Sequence, residues 1–255
     1  MKRRVFLWSG GAVLGAASLA WWQRNEVIGA LARLPRNDDV RLSPAPGVDQ
    51  DLCLLTPEQT EGPFFFQSPV RSDIREDRSG LPLSLRLQVV RADGCQPVAS
   101  ALVEVWHCDA AGQYSGYPES LSRRPFDTLM FVDGPNDPVE PVNGKTYLRG
   151  AQVSDESGLV SFQTILPGWY EPRVPHIHVR VSAGRVRYLA SQLYFPDELV
   201  RAVYADHPDY APHGTSPYTH ANDGVLGMSP DSEGLLLQPF ATEGGLAASC
   251  KLGIA

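Results

Sequence analysis

The sequence predicts a mainly β protein: a β-sandwich of mixed or antiparallel sheets with long loops. Two observations carry this. Short runs rich in Val, Leu, Ile, Tyr and Phe recur along the chain, at 83–90, 101–107, 159–164, 176–181 and 188–194. Between them stand turn clusters: Ala92-Asp93-Gly94, the stretch 109–112, the stretch 155–158 and Ser182-Ala183-Gly184. A content of 23 Gly and 22 Pro suits a loop-rich β protein, and a 43% apolar share in 255 residues is enough for a sizeable core. No internal repeat is present.

Taken in order, residues 1–22 read as a targeting segment. Lys2, Arg3 and Arg4 precede Val5-Phe6-Leu7 and an apolar, small-residue run to Trp22, the pattern of a twin-arginine export signal. Ser18-Leu19-Ala20 supplies small residues of the kind a signal peptidase reads, so the segment is either removed after export or kept as a membrane anchor. The protein is therefore expected outside the cytoplasm. Residues 23–50 form a polar, Pro-containing lead, and 51–255 form the domain. Residues 118–146 are rich in Pro, Asp and Gly and predict a long surface loop over the mouth of a site. One short helix is expected at 197–204, then an irregular tail after Pro208 until 234–240.

Charge excludes some partners. The formal net charge is −7, and removal of residues 1–20, with three basic and no acidic side chains, takes it to −10. Such acidity argues against nucleic acid or an anionic lipid surface. The four cysteines, Cys53, Cys95, Cys108 and Cys250, allow three pairings. An exported chain can keep disulfides. We expect Cys95 with Cys108, which flank the strand at 98–105, and Cys53 with Cys250, which would tie the domain ends together; buried free thiols are the alternative.

The densest chemistry lies in Pro167-Gly168-Trp169-Tyr170-Glu171-Pro172-Arg173-Val174-Pro175-His176-Ile177-His178. The strand-like residues after His178 place the two histidines on one strand face, where side chains i and i+2 point the same way. Tyr170 follows a Pro-Gly turn that can return it to the same point. Tyr114 follows the strand at 101–107, with Tyr117 as a rival. A phenolate is a hard oxygen donor whose proton, with an ordinary pKa of about 10, is displaced only by an acidic metal ion. Mixed phenolate and imidazole ligation therefore points to Fe(III), with one position left open for chemistry. A cupin-type site also uses His-x-His but needs a following Glu, and Val-Arg-Val-Ser-Ala-Gly follows here. A zinc hydrolase would show a His-Glu-x-x-His helix. His107 reads as a packed residue, and His207, His213 and His220 lie outside the constellation.

Four segments carry a resemblance. They are Leu55-Thr-Pro-Glu-Gln-Thr-Glu-Gly-Pro-Phe64, Val103-Glu-Val-Trp-His-Cys-Asp-Ala-Ala-Gly-Gln-Tyr-Ser-Gly-Tyr117, the run from Leu148-Arg149-Gly150 through Asp155 and Gly158 to His178, and Ser191-Gln-Leu-Tyr-Phe-Pro196. In these the chain resembles the intradiol ring-cleavage dioxygenases, the group of protocatechuate 3,4-dioxygenase and catechol 1,2-dioxygenase, in its exported single-domain form. The resemblance implies an iron site near the sandwich edge. Tyr114 would be the permanent phenolate ligand, Tyr170 the ligand released when substrate binds, and His176 and His178 the imidazole ligands. It also implies that Arg173 stabilises charge on the substrate and that Gln192 lines the pocket. The implied reaction opens a catechol-type ring with O2 between its two hydroxyl-bearing carbons to a muconate-type diacid. Residues 60–64 and the 118–146 loop are expected in the pocket wall. Between residue 22 and Thr56 there is no room for the helical dimerisation domain of the catechol 1,2-dioxygenase type. A β-sandwich binding module for aromatic or carbohydrate ligands is the alternative reading.

Overall fold

The computed structural model describes residues 53–123, 139–229 and 231–255. The leader at 1–22, the lead at 23–50 and most of the 118–146 loop lie outside these. Among the described residues, eight strands form two four-stranded sheets. The first has the order β4-β1-β8-β7, with β1 at Pro82–Arg91, β4 at Leu159–Ile165, β7 at Phe240–Thr242 and β8 at Gly245–Ile254. The second has the order β3-β2-β5-β6, with β2 at Leu102–Trp106, β3 at Arg149–Val153, β5 at His176–Ala183 and β6 at Val186–Tyr194. Strands β1 and β8 run parallel and every other pairing is antiparallel, so the first sheet is mixed.

Alternation builds the sandwich. Leu83, Leu85, Leu87 and Val89 of β1 share one core with Val103 and Val105 of β2, Phe162 of β4 and Ile177, Val179 and Val181 of β5. Because side chains on a strand alternate between faces, this register sends the other set outward from the second sheet. That set is Glu104 and Trp106 on β2, His176 and His178 on β5, and Gln192 and Tyr194 on β6. The pairing aligns Trp106 with His178, His178 with Gln192 and His176 with Tyr194. These residues are buried although they face away from the core, because loops cover that face of the sheet.

The expected strands and the helix are present. The helix, α2, spans Asp197–Asp206 and follows a five-residue helix, α1, at Glu119–Arg123 that opens the 118–146 loop. A four-residue helix, α3, spans Gly224–Gly227. Strands β3, β7 and β8 are additions to the expectation. The tail ends in a strand because residues 246–254 find parallel partners along the whole of β1 from Leu83 to Arg91. Among the described residues no helix is long and apolar enough to cross a membrane.

The expected cysteine pairing is corrected: the disulfide joins Cys53 to Cys95. The Thr56 amide donates to the Gly253 carbonyl, which carries the segment from Cys53 along the end of β8. Gly253 is level with Val90 of β1, and the turn that holds Cys95 follows at once. Cys250 sits further back, level with Leu87. Cys108 is buried with its thiol donating to the Gly168 carbonyl, 60 residues along the chain.

Candidate metal centre

Two turns and one strand bring the predicted donors together. Strand β5 supplies His176 and His178. The turn after β2 supplies Tyr114: Asp109 Oδ1 accepts from the amides of Ala111 and Gln113, and Gly112, at φ +81°, donates its amide to the Asp109 carbonyl. The loop before β5 supplies Tyr170, and the Arg173 amide donates to the Tyr170 carbonyl to close it. Gly168 locks the two loops together by donating its amide to the Asp109 carbonyl at 3.0 Å.

The result is a cage of four donor atoms. Tyr114 Oη lies 3.1 Å from His178 Nε2, 3.4 Å from His176 Nε2 and 3.5 Å from Tyr170 Oη. Tyr170 Oη lies 3.1 Å from His176 Nε2, and the two Nε2 atoms are 3.1 Å apart. A first-row metal about 2.1 Å from each of four N or O donors sets neighbouring donors about 3.0–3.5 Å apart. The cage has that size. The His176 tautomer agrees with it, since Nδ1 is 2.7 Å from the Val174 carbonyl and must carry the proton. Its Nε2 therefore presents a lone pair to the other three donors. Among the described residues no group of three or more His, Cys, Asp or Glu could hold a metal ion, so a metal held at this place would need the two phenols beside the two imidazoles.

Burial sets the electrostatics. Desolvation, then the neighbouring Tyr170, raise the Tyr114 phenol well above its usual range, and burial pushes Tyr170 up to about 12 against the pull of Arg173. Burial also depresses His176 and His178 well below the usual imidazole range, so both are neutral. The cage without metal is thus four neutral groups, and a strongly acidic cation is needed to take the phenolic protons.

Stacked rings and hydrogen bonds around the four donors hold them in place. The Trp106 indole stacks on the His178 imidazole at 4.9 Å and 7°. Phe64 packs at 4.7 Å from the Tyr114 ring and 4.8 Å from the Tyr117 ring. The Tyr117 hydroxyl donates to the Val139 carbonyl and makes none of the contacts among the four donors. Gln192 donates to the Thr60 carbonyl. The 60–64 segment therefore lies against the cage, and residue 139 is the near part of the 118–146 loop. Arg149 is fully buried, donates through Nε and Nη2 to Ser115, and lies 3.8 Å over the Phe66 ring.

Arg173 is buried beside the cage. Its Nη2 donates to Gln192 Oε1 at 2.6 Å and to Tyr194 Oη at 3.0 Å, and its Nε donates to Asp223. Asp223, Tyr194, Trp106 and Arg149 were not singled out from the sequence. Tyr194 carried a signal, two residues from Gln192 on the same strand face, and so did Trp106, on the outward face of β2. Asp223 carried none. His107 is a packed residue: its ring nitrogens meet the Cys108 carbonyl and Thr164 Oγ1. His213 and His220 bond the Trp169 and Phe195 carbonyls, away from the cage.

A β-sandwich with a buried two-tyrosine, two-histidine cage is thus the class of protein that fold and site define. Residues 57–207 match the Dioxygenase_C family model, described as a dioxygenase. The chain belongs to this family, the intradiol ring-cleavage dioxygenases. It is similar to catechol 1,2-dioxygenase 1 of Acinetobacter lwoffii, 26% identical over 205 residues that cover 69% of this chain and 58% of that protein. It is also similar to a chlorocatechol 1,2-dioxygenase of Pseudomonas sp. (strain P51), 28% identical over 194 residues, 72% of this chain and 64% of that protein. The chain thus spans less than two thirds of the length of these curated relatives. In structure it is similar to an intradiol ring-cleavage dioxygenase from Tetranychus urticae, with a TM-score of 0.68, 28% identity, and 79% of this chain and 94% of that one covered.

Proposed function

We propose that this chain is an Fe(III)-dependent intradiol dioxygenase. Its substrates would be a catechol-type aromatic and O2, its product a muconate-type diacid that keeps both oxygen atoms. The observation that carries the reading is the cage of Tyr114, Tyr170, His176 and His178, with donor contacts of 3.1–3.5 Å and no thiolate or carboxylate among them.

These four residues would hold the iron, which when bound supplies a Lewis acid that draws electron density from an ortho-diol. The chain's own groups do the rest. Tyr170 Oη, once released from the cage, would take up one of the two diol protons and the other would leave to solvent; its pKa of about 12 without metal keeps the released phenol neutral. Arg173 offers a fixed cation where negative charge grows on the diol oxygens, a contribution worth a few kcal/mol in a water-poor site. Phe64 and the rings around it exclude water and give the aromatic substrate an apolar wall.

The same proposal extends to place: residues 1–22 direct export by a twin-arginine route, which carries folded and metal-loaded chains. The Cys53–Cys95 disulfide supports an oxidising compartment.

The test is visible absorption of the ferric-loaded protein with and without catechol under argon, followed by admission of air. A phenolate-to-iron charge-transfer band that shifts with catechol, then one O2 consumed per ring opened, is expected. A protein that stays colourless with ferric iron would remove the dioxygenase reading and favour a binding module.

A further inference from the structure

We propose that Asp223 is a positioning residue of this site: it anchors the guanidinium of Arg173 and leaves one nitrogen, Nη1, to meet the substrate. The inference rests on the dioxygenase reading for the role of Arg173, but not for the contact itself.

Asp223 lies beyond residues 57–207, the part of the chain that matches the family model. It reaches Arg173 from the segment before α3. Arg173 Nε donates to Asp223 Oδ2 at 2.9 Å and Oδ1 at 3.1 Å, with both side chains almost wholly buried. The carboxylate is itself fixed from three other sides. Oδ2 accepts from the Val174 amide at 3.0 Å, and Oδ1 accepts from the amides of Val225 and Leu226, each at 3.0 Å. Backbone donors therefore set the position of Asp223, and the flexible arginine side chain follows it.

The count of guanidinium donors sharpens the point. Nε is committed to Asp223, and Nη2 to Gln192 and Tyr194. Nη1 alone makes no hydrogen bond among the described residues. Tyr194 Oη also donates toward Gln59 Oε1, and Gln59 Nε2 donates to Ser229 Oγ at 2.7 Å, so the same tail segment braces the network twice. The carboxylate has a second effect. A guanidinium beside a cage built for a cation would repel that cation, and a buried partner of opposite charge reduces the repulsion.

A merely structural role, capping the short helix α3, predicts something different. Asparagine caps as well as aspartate, so Asp223→Asn keeps the cap oxygen and removes the charge together with the second acceptor, which Arg173 Nε and the Val174 amide share. Asp223→Ser keeps a cap oxygen but is too short to reach Arg173. The experiment reads the Arg173 Nε–H resonance by 15N NMR in the metal-free protein, together with kcat and KM for catechol in the ferric-loaded protein. Both variants should hold Tm within a few degrees and displace the resonance. Both should lower kcat/KM about 10- to 100-fold, the range for lost supporting contacts, chiefly in kcat. The double variant Arg173→Gln/Asp223→Asn should be no worse than Arg173→Gln alone, since Asp223 acts through Arg173. Full kcat/KM in Asp223→Asn despite a displaced resonance would overturn the proposal, as would losses that multiply in the double variant. An unmoved resonance would overturn the contact. A wild-type protein that cleaves no catechol would instead sink the dioxygenase reading, with the resonance still deciding whether Asp223 holds Arg173.

Discussion

On the proposed reading of the cage, replacing Gly168 by alanine should cost the protein its metal before it costs the protein its fold. A Cβ at Gly168 would lie 2.3 Å from the Asp109 carbonyl oxygen and 2.8 Å from both the Ala110 carbonyl oxygen and the Gly112 nitrogen. Ordinary contact begins at 3.4 Å, so the two loops must separate by roughly 1 Å. All three obstacles are backbone atoms, which no rotamer change can move aside. The loops carry one phenol each, and their hydroxyl oxygens are 3.5 Å apart. A gap of that order takes at least one phenol outside the tolerance of about 0.2 Å that a metal–ligand bond allows. The strain itself is of the order of 1–3 kcal/mol, as for other overpacked sites, which the sandwich can absorb. The expected result is a Gly168→Ala protein with a cooperative melt, a Tm lowered by several degrees, and ferric affinity down at least 100-fold by visible titration. If this variant takes up iron with wild-type stoichiometry and affinity, the account of the cage as two loops locked at Gly168 is wrong.

Other perturbations have equally definite outcomes. Tyr114→Phe and Tyr170→Phe should each remove one phenolate, so each should weaken and shift the charge-transfer band of the ferric protein, while the double variant is colourless; unchanged spectra in both singles would rule these residues out as ligands. The metal-free protein should lose stability in acid. His107 is fully buried, and burial takes its imidazole from the usual 6.5 down to about 4. Between those values the unfolded chain binds a proton that the folded chain refuses, so stability falls as pH drops through that window, by about 3 kcal/mol for this group. His176 and His178 act in the same direction, and a urea midpoint that stays flat from pH 7 to pH 4.5 would contradict this. Opening the Cys53–Cys95 disulfide by Cys53→Ser/Cys95→Ser releases a loop with a sequence separation of 42, for which chain entropy predicts a loss of about 4 kcal/mol. Thiol titration of the unreduced, denatured protein should find the two groups of Cys108 and Cys250, and four would refute the pairing.

The candidate donors were legible because their spacing follows local rules. His176 and His178 are two apart on a strand whose odd-numbered neighbours, Ile177, Val179 and Val181, are plainly core residues, so one face had to hold both imidazoles. Tyr170 and Tyr114 follow turns rich in Gly and Pro, which limits where their rings can go. What stayed hidden depends on distant pairing. Strand β8 reads Gly-Leu-Ala-Ala-Ser-Cys-Lys-Leu-Gly-Ile, poor in β-branched residues, and is a strand only because β1 and β7 flank it. Arg149–Val153 is short and begins with Arg-Gly, and it becomes a strand by pairing with β2. The cysteine pairing failed for the same reason: Cys53 and Cys95 meet through the register of β8 beside β1, which no local pattern reveals. Asp223 looked like any acidic residue in a polar tail. Its burial against Arg173 is a tertiary fact.

The parallel pairing of β1 with β8 has a consequence for how the chain is made. Some 160 residues separate these neighbours, and such distant contacts form late and slowly. While a ribosome is still building the chain, β1 has only β4 beside it, and its other edge stays open until the last strand emerges. The sheet that carries His176 and His178 has no such wait, since all its strands lie within residues 102–194. A nascent chain stalled before residue 245 would therefore hold a nearly finished sheet with both histidines in place against an unfinished partner, with an exposed strand edge available to any passing β-segment. Keeping that interval short, or guarded by a chaperone, is a demand this topology places on the cell that makes it.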